Sequence, residues 1–444
     1  MTVPSAAPAG ALSIPPRVAL GGVLAASGVS ILGSRVSAIA IPWLVLVTTR
    51  SPTRMGLVAA AELVPLVLAL ALGGPLLDRV GVRRCAIGID LASAVTVTAI
   101  IAFYDQGLAV LLVLVAVLGA LRGFSDNAKK VLLPSAAAVA GAAMIRVTAI
   151  FEGMSRLSGL IGASIAGVLI AWLQAPTTMV VTAAAFTVSA VLVATMARPP
   201  EPPAPDAAAP ERERYLQAMR TAVTHLRQDR ICFAIMAMVF YINVFNQAAV
   251  VVFIPLWADE VLGSAVGVGA VLGAAGLGLV LGNLVFTIFA TKVPRYATFT
   301  LGFLLGGPPR FLVLGLSDDL SVVLVVTFLA GCALSAVNPV IGLLLFERTP
   351  AALQARVFGL VTAIAWAGLP LGGLLAGWAV TAGGLRPALV VTAVAYLAVA
   401  LTPVIRHRTW RLINRAPDSK AERAPDGKAE PVTATEESVD AAAG

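Results

Sequence analysis

Apolar runs of about 20 residues alternate with short polar links along most of the chain. That is the length a helix needs to cross a ~30 Å hydrocarbon core at ~1.5 Å per residue. Twelve such runs can be counted, at roughly 18–47, 55–77, 85–104, 108–131, 147–173, 177–197, 231–257, 264–290, 297–316, 320–345, 355–381 and 385–405. The first is too long for the apolar core of a signal peptide and reads as a retained helix. Residues 198–230 interrupt the series after the sixth run: a Pro-rich stretch, then a charged segment from Glu211 to Arg230 with helical character. The pattern predicts an all-α integral membrane protein with twelve transmembrane helices in two six-helix halves, 18–197 and 231–405. A cytoplasmic start (1–17), a cytoplasmic linker (198–230) and a cytoplasmic tail (406–444) complete it, and the Ala/Pro/Glu/Lys composition of the tail predicts disorder.

Composition supports that class. Of 444 residues, 59% are hydrophobic and 12% charged, against about 25% charged in soluble domains. The apolar mass is Leu, Val, Ala and Ile with 40 glycines and 6% aromatics. That mix suits helices packed through small residues and does not suit a barrel of alternating strands with aromatic girdles. The net charge of +8 follows topology and gives no nucleic-acid signal. With the N-terminus inside, the inner links collect Arg79, Arg83, Arg84, Lys129, Lys130, Arg146, Arg348 and the linker arginines, and the outer links hold only Arg50, Arg54 and Arg386. The positive-inside rule therefore predicts a plasma or inner membrane protein with both termini cytoplasmic. Cys85, Cys232 and Cys332 have no disulfide or metal spacing. The two histidines, His225 and His407, fall in inner segments, and no catalytic constellation, phosphate loop or metal cluster is present. The expectation is a non-enzyme with no cofactor and no metal, driven by an ion gradient.

Between the second and third runs stands Gly74-Pro75-Leu76-Leu77-Asp78-Arg79-Val80-Gly81-Val82-Arg83-Arg84. Its G-x-x-x-D-R-x-G-x-R-R spacing resembles the signature loop of the major facilitator superfamily of transporters. Leu118–Pro134 and the Gly33–Trp43 stretch resemble the fourth and first helices of its twelve-helix drug–proton antiporter branch, which includes macrolide-efflux and enterobactin-export proteins. The fifth run resembles the branch's antiporter motif with one departure, since Gly162-Ala163 stands where that motif has Gly-Pro. The resemblance implies that Gly74, Asp78, Arg79, Gly81, Arg83 and Arg84 form a gating latch. In it Asp78 would face the N-terminal end of the eleventh helix and lock the cytoplasmic side, with Asp90 and Arg122 extending the charge network.

Ionisable groups inside a bilayer are costly and mark pairs or function. Glu62 lies about eight residues, ~12 Å, from the outer end of its run, and is expected either to pair with Arg35 or to take up a proton. Glu152 and Arg156 stand one turn apart in the order that favours an ion pair, static or switching. Glu62, Glu152, Arg156 and Arg35 are the proton-coupling candidates. Tyr241, Asn243, Asn246, Gln247, Asn338 and Trp366 are the substrate-cavity candidates, and Arg310, beside Pro308-Pro309, has no assigned role. A mostly apolar cavity with an acid or two suits amphipathic or cationic solutes. The expected function is proton-coupled export of a small amphipathic compound, such as a drug, antibiotic or siderophore. An importer or uniporter of a metabolite and a non-transporting membrane sensor are the alternatives. Expected partners are that solute, protons and membrane lipid, without nucleic acid and with the chain as a monomer.

Overall fold

A computed structural model describes residues 15–72, 81–196, 212–289, 292–350, 353–410 and 413, and among these there is no strand. The first four helices are α1 (Pro16–Thr49), α2 (Pro52–Leu72), α3 (Val82–Phe103) and α4 (Leu108–Val139). The next element, Met144–Met196, is 53 residues long and leaves helical geometry at Gln174 (φ 63°, ψ 161°). A straight helix of that length would run ~80 Å, far beyond a ~30 Å core.

Its contacts with α1 show what happens at the break. Gly28 faces Met154 and Ser158, and Arg35 faces Gly162, so residues 144–173 (α5) run parallel to α1. Gly22 faces Met196, whereas Gly33 faces Thr182 and Ala185, so residues 175–196 (α6) run antiparallel to it. The chain therefore reverses over Gln174-Ala175-Pro176. Among the described residues, eleven helical stretches are long and apolar enough to cross a membrane, and one of them, Arg146–Met196, contains the reversal at Gln174.

The linker helix α7 (Arg212–Gln228) buries Ala222 and Leu226. Then come α8 (Arg230–Leu262), α9 (Val266–Phe289), α10 (Arg295–Leu316), α11 (Leu320–Arg348), α12 (Arg356–Gly383) and α13 (Leu385–Ile405). Two π-helical turns, Ala249–Phe253 and Ala258–Leu262, widen α8. In α10 the helix breaks at Gly306-Gly307 before Pro308-Pro309. Gly307 is required there, because any Cβ would collide with the ring of Tyr396 in α13.

The linker helix is tied to the second half at the base of α8. Asp229 caps α8 by accepting from the backbone N–H groups of Ile231 (2.8 Å) and Cys232 (3.0 Å). It also accepts from Arg348 at 3.1 Å, and His225 Nε2 lies 3.2 Å from the Arg348 carbonyl oxygen. Burial pushes the Asp229 carboxyl up, but the Cys232 N–H, Arg348 and the Ile231 N–H outweigh it and hold the group below its ordinary value. A carboxyl with a depressed folded-state pKa stabilises the fold above its unfolded value of 3.8 and loses that contribution as pH falls through the folded value. Asp229→Ala should therefore cost about 1 kcal/mol or more at pH 7, the usual price of a lost N-cap. Thermal melts in detergent should show the gap to the parent protein closing as pH falls below ~3.8, and a gap that stays constant all the way down the acid limb would contradict the assignment.

Candidate functional site: a central cavity and the charged pairs beside it

The two halves meet along α2–α12 and α5–α9. Where Gly56 faces the carbonyl of Gly373, and Gly377 the carbonyl of Pro52, no side chain separates the backbones of α2 and α12. Thr53 Oγ1 lies 2.7 Å from Thr381 Oγ1 and 3.3 Å from the Gly377 carbonyl oxygen. Gly167 and Gly269 bring α5 and α9 into similar contact. Arg50 donates to Asp259 at 2.6 Å between α1 and the far end of α8. All of these contacts cluster at one end of the seam. Small residues are what allow helices to approach this closely in lipid.

Toward the opposite end α5 and α9 part. Gly276 still faces Leu160, but Gly153 and Arg156 on α5 and Asn283 and Thr287 on α9 line open space. This space is a cavity of about 870 Å³ between α1 and α5 on one side and α8 to α11 on the other. Close backbone contact shuts the seam at the Arg50/Thr53 end, and the lining extends along α5 to Gly153 and along α9 to Thr287, toward the end that carries Lys129, Lys130, Arg146, Arg295 and Arg348.

Of the cavity candidates, Asn243, Asn246 and Asn338 line it. Asn243 also donates to the Ala365 carbonyl at 2.9 Å. Tyr241, Gln247 and Trp366 do not line it. Asn243 and Asn246 are three residues apart and share a helix face. One residue further, Gln247 has rotated by about 100° and packs against Gly372 of α12. Tyr241 is 51% exposed on the outside of the bundle. Asn283 joins the lining, as does Arg310, which the break at Gly307-Pro308 turns inward. The signal for Arg310 was available in the sequence as an arginine inside an apolar run directly after a Gly-Gly-Pro-Pro break.

The charged candidates are arranged differently from expectation. Glu62 is buried and pairs with Arg122 of α4, not with Arg35. Gly119 and Gly123 explain the pairing, since they press α4 against the backbone carbonyls of Glu62 and Leu66. Arg35 instead faces the cavity. Glu152 and Arg156 form no ion pair; both are exposed, and Arg156 lines the cavity.

The gating motif is described in part. Gly74, Asp78 and Arg79 lie outside the described residues. Gly81 precedes α3 with φ 91°, a conformation that favours glycine. Arg83 donates to the Ala194 carbonyl of α6 at 2.5 Å, and Arg84 is exposed. Asp90 does not connect to Arg122. It is fully buried against Lys129 (2.8 Å) and accepts from Ser125 Oγ at 2.5 Å. Arg122, Ser125 and Lys129 thus form one stripe along α4 with two separate buried ion pairs. Hydropathy alone ended this helix near Lys129-Lys130, whereas it continues to Val139 and encloses Lys129.

Known proteins share this architecture and sequence. The crystal structure of the nucleoside transporter NupG superposes with a TM-score of 0.72 at 12% identity, over 87% of this chain and 98% of that one. A bacterial homolog of the human lysosomal transporter Spinster, in an inward-facing and unoccupied conformation, gives 0.65 at 14% identity over 91% and 98%. At such identities these likenesses establish the fold. Among sequence relatives, the multidrug efflux pump Tap of Mycobacterium tuberculosis (strain ATCC 25618 / H37Rv) is 29% identical over 415 residues, 90% of this chain and 96% of Tap. The Tap pump of Mycolicibacterium fortuitum is 28% identical over 397 residues, covering 85% and 92%. The sequence profile of the Major Facilitator Superfamily matches residues 23–269 and 236–435, together most of the chain. The chain belongs to the Major Facilitator Superfamily.

Proposed function

We propose that the protein is a proton-coupled exporter of small amphipathic compounds, working by alternating access in a plasma membrane as a monomer and without catalysis. The observation that carries this reading is the cavity between the two halves, sealed at one end by glycine-mediated backbone contact and open at the other. Two six-helix halves tilting about such a site is the standard way these folds move a solute. The open end is the one rich in Lys and Arg, so the positive-inside rule places it, the linker helix and both termini in the cytoplasm. The structure is then the inward-open state, ready to load cargo from the cell. The sequence relatives named as multidrug efflux pumps support the outward direction.

Glu62 is the leading candidate for the coupling group. It is a carboxylate held in the bundle by one arginine, next to the helix that carries Arg35 into the cavity. Protonating it would release Arg122 and change the charge beside the cavity. Glu152, on an exposed face, fits that role less well.

Inside-out proteoliposomes with an acidic lumen test this reading. Lumenal protons leaving should drive solute inward, so a dye or antibiotic substrate should accumulate, and a protonophore should abolish the accumulation. Accumulation that is indifferent to the protonophore would remove the coupling.

A further inference from the structure

The charge lining the cavity is of one sign. Three guanidinium groups face it, Arg35 and Arg156 from the first half and Arg310 from the second, and among the described residues no carboxylate does. The mostly apolar cavity with an acid or two, expected to suit amphipathic or cationic solutes, has arginines in place of the acids among the described residues that line it.

Arg310 is the most informative of the three. It sits among buried aromatic residues, with its guanidinium carbon 4.9 Å from the centroid of Phe311 and 5.9 Å from that of Tyr396. Its Nη2 donates to Asn246 Oδ1, a neutral acceptor, and its Nε is buried with no partner. No carboxylate among the described residues forms an ion pair with it. A cation inside a bundle at membrane depth is costly unless an opposite charge meets it, and an amide with two ring faces offsets only part of that cost. Among the described residues Arg156 also has no ion-pair partner.

Resting on the export reading above, we infer that the cargo is an amphipathic organic anion, with a carboxylate, phosphate or sulfonate head. The head is received by the cavity arginines, and the apolar body lies against Ile39, Leu160, Val271 and Leu279. Guanidinium forks suit such heads because they offer paired N–H donors to planar or tetrahedral oxyanions. Because the arginines come from both halves, an anion between them relieves like-charge repulsion across the seam and favours closure of the open end. An empty or cation-filled cavity keeps the repulsion.

The test uses two dyes that share a xanthene ring system, fluorescein (anionic) and rhodamine 123 (cationic), with the full chain in phosphatidylcholine nanodiscs. Fluorescein should bind saturably and about tenfold or more tighter than rhodamine 123. Arg310→Gln and Arg156→Gln should each weaken fluorescein about tenfold, the effect of one lost charge-assisted hydrogen bond, and Arg310→Lys should retain part of the affinity. Arg156 is exposed, so its variant keeps the test valid if Arg310→Gln misfolds. Rhodamine 123 binding as tightly or tighter, no saturable fluorescein binding, or fluorescein binding unchanged in both glutamine variants would each overturn the inference. Rhodamine preference with proton-driven transport intact would refute the anion and leave export standing. Fluorescein binding with no proton dependence of flux would do the reverse.

Discussion

Glu62→Gln should abolish proton-driven accumulation while leaving substrate exchange across the membrane intact, and Glu62→Leu should in addition destabilise the fold by about 3–5 kcal/mol. The difference lies in what each variant leaves Arg122. Its side chain is only 13% exposed, and Glu62 is its sole ion-pair partner among the described residues. Glutamine keeps an oxygen acceptor in nearly the same place, so Arg122 loses a charge partner and not a hydrogen bond, at a cost of about 1–3 kcal/mol. Leucine leaves a buried cation with no ion-pair partner among the described residues. The double variant Glu62→Leu/Arg122→Met should recover most of the loss, since two apolar side chains of similar size replace a buried pair at little or no cost. Denaturation in detergent reads the stability cycle, and exchange against unlabelled substrate, compared with flux under a pH gradient, reads the coupling. Full proton-driven accumulation in Glu62→Gln would remove Glu62 from the coupling path.

How much of this was legible in the sequence divides along the distance over which residues interact. Lengths of apolar runs gave the spans, because the bilayer sets one dimension for every helix. Even the reversal at Gln174 was placed correctly between runs ending at 173 and starting at 177, although no polar loop marks it. The charged stretch from Glu211 reads as a helix and forms one at Arg212–Gln228. Pairings were a different matter. Glu62 could be placed at depth, but its partner is 60 residues away and is selected by two glycines on α4 whose role appears only when α2 lies against them. Glu152 and Arg156 show the opposite error, for ideal spacing along one helix predicted an ion pair that the folded chain does not make. The polarity of the cavity also depends on which helices face it. Counting acids and bases along spans cannot show that three arginines turn inward while Glu62 and Asp90 are matched elsewhere.

Opening the sealed end is the second requirement with a large expected effect. The Arg50/Thr53 end is closed by contacts with no side chain between the backbones, at Gly56–Gly373 and Pro52–Gly377. Such a surface is smooth enough to part and re-form, and tight enough to block solute while it is shut. Export requires α2 and α12 to separate there once per cycle. Thr53 and Thr381 sit across this seam with their hydroxyls 2.7 Å apart, close enough for a disulfide between cysteines at those positions. Neither residue lines the cavity, so linking them should leave solute binding from the open side in place. The decisive measurement is transport by Thr53→Cys/Thr381→Cys in a background with Cys85, Cys232 and Cys332 replaced by serine, before oxidation, after oxidation and after reduction. Transport should fall to the background of empty vesicles on oxidation and return on reduction, with solute binding unchanged throughout. Full-rate transport with the cross-link shown to be formed would contradict alternating access through this seam.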